Sequence, residues 1–287
     1  APLGWHRGPL RHADLREWFA FGLPLMPMVL GDWLFRLIDQ YVLLAVRDVR
    51  TLAAYVLAVN IAMVGYFAGT AALDLLIAEF HRRRNARPSA GGSPSPEVRE
   101  VTTAMVRVAL AVGIATASVL LGAGRPLVRL LSSAEYDDAA RLLPWTAAMP
   151  LAFMLVLIAG RIRAALGHTR CVGGWTLCAA VVALALNLAL APRWGGAGAA
   201  VANTLALSAL AAALARSLHP RQWLVVRELR TGRLVLAAII CAIAIGVGQR
   251  YAPAAGPGLQ VLMAATIPVI ALLGTAEQPL PLSPSEL

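Results

Sequence analysis

Lysine is absent from the chain, so all 25 basic residues are arginine. Cysteine is nearly as scarce. Cys171, Cys178 and Cys241 form an odd set inside apolar segments, which argues against a disulfide framework. Charged residues reach only 14% and aromatics 6%. The five histidines, His6, His12, His81, His168 and His219, are scattered with no metal-ligand spacing. No phosphate-binding glycine loop, nucleophile elbow or soluble catalytic domain can be found, so neither an enzyme nor a cofactor or metal is expected. The net charge of +10 would point to nucleic acid only if the arginines clustered in a soluble domain, and the sequence offers none. The first hydrophobic segment lacks a small-residue cleavage site, so no signal peptide is expected. Opening on Ala1 rather than Met, the chain reads as a fragment or a processed product.

What remains is apolar. At 59% hydrophobic and a mean hydropathy of +0.70, the chain reads as an all-α integral membrane protein. Eight candidate spans follow: 17–43, 51–78, 100–122, 142–160, 171–191, 196–215, 233–249 and 257–275. They define an N-terminal segment 1–16, two spans in 17–80 and an Arg/Pro/Gly/Ser loop 81–99. Four more spans lie in 100–216, a linker in 217–232, two additional spans in 233–275 and a tail in 276–287. The linker sequence HPRQWLVVRELR fits either a short amphipathic helix on the membrane surface or a plain charged connection. If both termini are cytoplasmic, 16 arginines fall in inner segments and 7 in outer ones, the bias expected of an N-in, C-in protein.

The segment Trp18–Tyr41 combines the length of a span with Asp32, Arg36 and Asp39 at i, i+4 and i+7, and with Pro24 and Pro27. A helix would present the charges as one stripe and the prolines would kink it. A charge near mid-bilayer costs about 2.5–3.5 kcal/mol on insertion scales, so the stripe should face a partner helix or a wet cavity. Arg36 could hold an anionic head group through its guanidinium fork, or simply pair with Asp32 and Asp39. Arg107 is the other arginine inside a span, where it could face the cavity or snorkel to the head groups. Asp74 could pair with an arginine, carry a proton, or sit at the interface beside Glu79. Asn60, Asn187 and Asn203 suit interhelical hydrogen bonds, and Gly195, Gly198 and Ala202 a close-packed face. Pro150 and Pro268 are candidate kinks.

Several of these pieces resemble one group of transporters. Phe21-Gly22-Leu23-Pro24-Leu25-Met26-Pro27 followed by Asp39-Gln40-Tyr41-Val42-Leu43 is similar to the seventh helix of Wzx-type polysaccharide flippases. The resemblance continues at Ala54-Tyr55 and Glu135-Tyr136, and is strongest over Asn187–Thr204, NLALAPRWGGAGAAVANT. Taken together, the motifs resemble the C-terminal lobe plus two extra helices of a transporter of the MOP superfamily, to which the MATE exporters also belong.

That resemblance implies two helical bundles around a central cavity and an alternating-access cycle. The cargo would be undecaprenyl-pyrophosphate-linked oligosaccharide, moved across the bacterial cytoplasmic (inner) membrane for surface polysaccharides such as O-antigen. Its implied partners are the lipid bilayer, the missing N-terminal lobe, and polysaccharide polymerase and chain-length machinery. Under that resemblance Arg36, Arg107, Asp32, Asp39 and Asp74 are the candidate substrate-binding residues. The chain departs from the pattern in lacking the first lobe and in carrying Gln40 where arginine is usual. A MATE-like multidrug exporter or a lipid II flippase is the alternative, and a polytopic glycosyltransferase, a polymerase or a structural membrane partner stands further off.

Overall fold

A computed structural model describes residues 26–86 and 94–216, and every regular element among them is helical. The helices are α1 Met26–Val46, α2 Val49–Ala86, α3 Pro96–Leu131, α4 Asp137–Thr146, α5 Met149–Ala165 and α6 Thr169–Arg216, with a 3-10 turn at Ala134–Tyr136 before α4. The expected segment 1–16, the linker 217–232, the last two spans and the tail lie outside the described residues, as do Pro24 and Pro268.

Six helices therefore stand in the described region, and they do not map one to one onto the first six of the eight expected spans. By length and composition α2, α3 and α6 can each cross a membrane, and the bent pair α4–α5 makes a fourth candidate. The expected span 142–160 is that pair, broken by 41°. Pro150 does not kink a helix, because it sits in the first turn of α5, where no intrahelical donor is lost. Pro27 lies at the edge of the described residues, from which α1 runs unbroken to Val46. α2 has 38 residues, about 57 Å, against a hydrocarbon core of about 30 Å, so its ends project beyond the apolar layer.

The local signals for these elements are conventional. Asp48 opens α2 by accepting the Thr51 N–H at 2.8 Å, and the Thr51 hydrogen bonds hold its carboxyl below the ordinary carboxylate range. Ser95 accepts from the Val98 N–H ahead of Pro96 and Glu97 at the start of α3. Ala123 leaves helical geometry (φ −120°, ψ 18°) just before Pro126, which bends the end of α3.

The 48 residues of α6 are nominally one helix but fold back on themselves. Asn187 and Asn203 would be about 24 Å apart on a straight helix, yet Asn187 Nδ2 donates to Asn203 Oδ1 at 3.0 Å. The reversal is at Gly195, with φ +58° and ψ −135°, a conformation open essentially to glycine. Close approach of the two arms is set by Gly198, where an added Cβ would strike the Leu190 carbonyl. Two antiparallel arms thus occupy the places expected of spans 171–191 and 196–215. Arg47, in the turn between α1 and α2, secures the tip by donating to the Pro192 carbonyl at 2.6 Å.

α1 packs chiefly on α6, α6 on α5, and α5 on α2 and α3. Phe35, Met63, Phe153, Ala180 and Leu207 form a core shared by α1, α2, α5 and both arms of α6. A second core of Leu73, Phe80, Val101, Met105 and Ile158 joins α2, α3 and α5. Ion pairs mark the two ends of the bundle. Arg83 meets Glu79 and Glu100 at one, with the Arg84 guanidinium on the Ala165 carbonyl, while Arg50–Asp138 and Arg129–Asp137 lie at the other.

Glycine substitutions test the hairpin. Gly195→Ala should lower stability by about 1–3 kcal/mol through backbone strain, and Gly198→Leu should prevent accumulation because its side chain would force the arms apart. Gly174→Ala, with nothing within 4 Å of an added Cβ, should be neutral or slightly stabilising. Thermal melts of the purified variants in detergent provide the comparison. A Gly198→Leu variant as stable as the parent would refute the close approach.

Candidate functional site

The charged stripe of α1 divides between two environments. Gly31, Phe35, Asp39 and Val42 follow one another at helical spacing and are all buried, forming the seam of α1 against its neighbours. Asp32 and Arg36 lie outside that seam, exposed, with Arg36 Nε on Asp32 Oδ2 at 3.1 Å. A step of three residues turns a helix by about 60° from the starting direction, enough to carry Asp39 across the edge of the buried face while Arg36 stays outside. The α1–α6 contact is tight there: a Cβ on Gly31 would lie 2.7 Å from Thr176 Cγ2.

Asp39 is 3% exposed, and its carboxylate is met by three donors. Oδ2 accepts the Tyr55 hydroxyl at 2.5 Å and Asn203 Nδ2 at 2.7 Å, and Oδ1 accepts the Gln40 N–H at 2.8 Å. Asn203 is held in turn by Asn187, whose Nδ2 also donates to the Ala183 carbonyl at 2.9 Å. The node thus ties α1, α2 and both arms of α6 together. A carboxylate taken out of water needs such donors, since an unpaired buried charge is far costlier than the hydrogen bonds that satisfy it. Asn187 Oδ1, also buried, has no donor among the described residues. Among those residues no group of three or more His, Cys, Asp or Glu is placed to hold a metal ion.

The exposed pair has different neighbours. The Arg36 guanidinium carbon lies 6.0 Å from the centre of the Phe153 ring on α5. Tyr66 of α2 has its ring centre 5.6 Å from that of Phe153, and its hydroxyl lies in the fields of Arg36, Asp32 and Asp74. Asp74 is exposed on α2. Arg107 is exposed on α3, and among the described residues no hydrogen bond or ion pair joins it to this cluster. Asn60 is exposed on α2, outside the node that Asn187 and Asn203 complete.

No protein-family model and no curated protein sequence matches the chain. Among solved structures it is similar to "Lipid II flippase MurJ, inward closed conformation", with a TM-score of 0.70 and 12% identity over 94% of this chain. The chain spans 56% of that protein's length. It has a MurJ-like fold. At 12% identity the likeness is one of architecture.

The Tyr55, Tyr66 and Phe153 contributions were not singled out from sequence as site residues. One signal was available: Asn187 and Asn203 stand eight residues either side of Gly195, the symmetry of two groups facing each other across a hairpin.

The two charge sets predict opposite mutational behaviour. Asn203→Leu strips a charge-assisted hydrogen bond from Asp39 and should lower stability by roughly 2–3 kcal/mol. Arg36→Ala removes an exposed pair and should stay within about 0.5 kcal/mol of the parent. Unfolding in detergent, followed by circular dichroism, separates the cases; equal losses would contradict the division.

Proposed function

We propose that this chain forms about half of a flippase that carries polyprenyl-pyrophosphate-linked saccharide across the bacterial inner membrane, with a second helical bundle completing the transport path. The observation that carries this reading is the MurJ-like fold over 94% of the chain, combined with an arginine held on an exposed face of α1. Such a cargo has an anionic pyrophosphate and a polar head that cannot cross hydrocarbon unaided. Arg36 is the group suited to the phosphates, because its guanidinium stays protonated and binds two oxygens at once. Asp32 keeps it oriented when no ligand is bound. Asp39 holds the helices in place and does not meet the cargo.

Lipid II, named for the structural neighbour, and the undecaprenyl-linked oligosaccharide implied by the Wzx-type resemblance share the pyrophosphate and the polyprenyl chain. The role of Arg36 is the same for both. The surface polysaccharide route is the reading favoured by the chain's own motifs, above all Asn187–Thr204.

Flipping by the complete protein in proteoliposomes tests the assignment. Arg36→Ala should reduce transport at least tenfold with normal membrane abundance, and Arg36→Lys should recover only part, because lysine loses the fork. If Asp32→Asn combined with Arg36→Gln transports at the parent rate, Arg36 has no part in binding cargo.

A further inference from the structure

The exposed face of α2 is mixed, with polar groups set among apolar ones such as Val64 and Leu75. Asn60, Phe67 and Asp74 recur at seven-residue intervals along it, all exposed, with Ala71 between the last two. A stripe carrying an amide and a carboxylate within a membrane helix belongs beside water or polar cargo, where neither group pays the insertion cost. α1 likewise mixes exposed apolar Val29, Trp33, Tyr41 and Leu44 with Asp32 and Arg36.

Phe67 lies between the two polar members of that stripe and is 60% exposed. Its ring centre is 5.6 Å from that of Tyr66, at 65° between planes, and Tyr66 in turn packs 5.6 Å from Phe153. Arg36 stands over Phe153 with Asp32 on its Nε. The three rings therefore make a chain of tilted contacts running from the charge pair to the exposed Phe67. Phe153 and Tyr66 are buried and half-buried, and Phe67 is its exposed end.

We propose that Phe67 and Tyr66 form a docking shelf for a sugar ring, next to the place where Arg36 holds the phosphates. This deepens the flippase reading and rests on it. A pyranose has a face of C–H groups and a rim of hydroxyls, and its complement is an aromatic surface flanked by groups that accept hydrogen bonds. Phe67 supplies the surface; Asn60 and Asp74, exposed seven residues to either side of it along α2, supply acceptor oxygens. The order of the groups matches the order of the cargo, in which the first sugar is bonded directly to the pyrophosphate.

The test uses the complete protein in nanodiscs and two probes: undecaprenyl pyrophosphate bare, and the same lipid carrying a disaccharide. Phe67→Ala and Phe67→Leu should each weaken binding of the disaccharide lipid by about tenfold, the effect of losing one aromatic face, and leave the bare lipid unchanged. Phe67→Trp should bind both as the parent does, and Arg36→Ala should weaken both. If Phe67→Leu binds the disaccharide lipid like the parent, the ring is mere apolar bulk and the shelf is refuted. Equal weakening of both probes by Phe67→Ala also refutes it. A parent protein that binds neither probe overturns the flippase reading, and the shelf with it.

Discussion

One buried carboxylate governs the arrangement of the bundle. Asp39 faces inward from α1, and it can do so only where three donors meet it: the Tyr55 hydroxyl from α2, the Asn203 amide from the returning arm of α6, and its own neighbour's N–H. In lipid, helices gain little from simple apolar contact with one another, because the acyl chains are as apolar as the side chains they would replace. Alanine-lined seams such as Ala183, Ala199 and Ala202 permit close approach but allow neighbouring helices to slide. A carboxylate with a fixed donor set does not, since a shift of one residue would leave both the charge and the amides unpaired.

That node depends on the hairpin. Asn203 reaches Asp39 only because the chain reverses at Gly195, and Asn187 steadies Asn203 only because the two arms lie against each other at Gly198. The sharp tip in turn leaves carbonyls at the end of the first arm without helical partners. Arg47 takes the one from Pro192, so the α1–α2 turn and the α6 tip are joined at the same end of the bundle where Arg50 meets Asp138. Backbone geometry, capping and the buried node thus reinforce one another, and each uses a residue that an apolar segment could not supply.

Much of this was legible in the sequence. Hydropathy located α2 and α3, and the turn in α6 fell between the two spans read around Pro192–Gly195. The node asparagines were read as interhelical bonding groups, and they are. Periodicity could not show where the edge of the buried face crosses α1. The i, i+4, i+7 spacing groups Asp39 with Arg36, but packing assigns it to the Gly31–Phe35–Val42 seam, because a 60° arc can straddle a boundary set by α2 and α6. A proline misled for a related reason. Pro150 looks like a kink until the start of α5 is known, and at a helix start proline is favourable. The aromatic contacts around Arg36 come from α2 and α5, distant in sequence, and no local pattern announces them.

The two kinds of charge on α1 also differ in what it costs to rearrange them. Separating Asp32 from Arg36 releases two solvated groups, a change of about 0–1 kcal/mol. Removing a donor from Asp39 exposes a desolvated carboxylate to apolar surroundings, several times as costly. Under the proposed flippase reading, a site that takes up and releases cargo needs interactions that exchange with little net change, and the exposed pair has that character. Asp32 engages Nε alone among the five donors of the guanidinium, so an anion can compete for the group without first unfolding anything. The buried node has the opposite character and keeps α1 in one register. Placing a rigid charge and an exchangeable charge three residues apart on one helix lets the same segment hold its register on one face and keep a displaceable ion pair on the other.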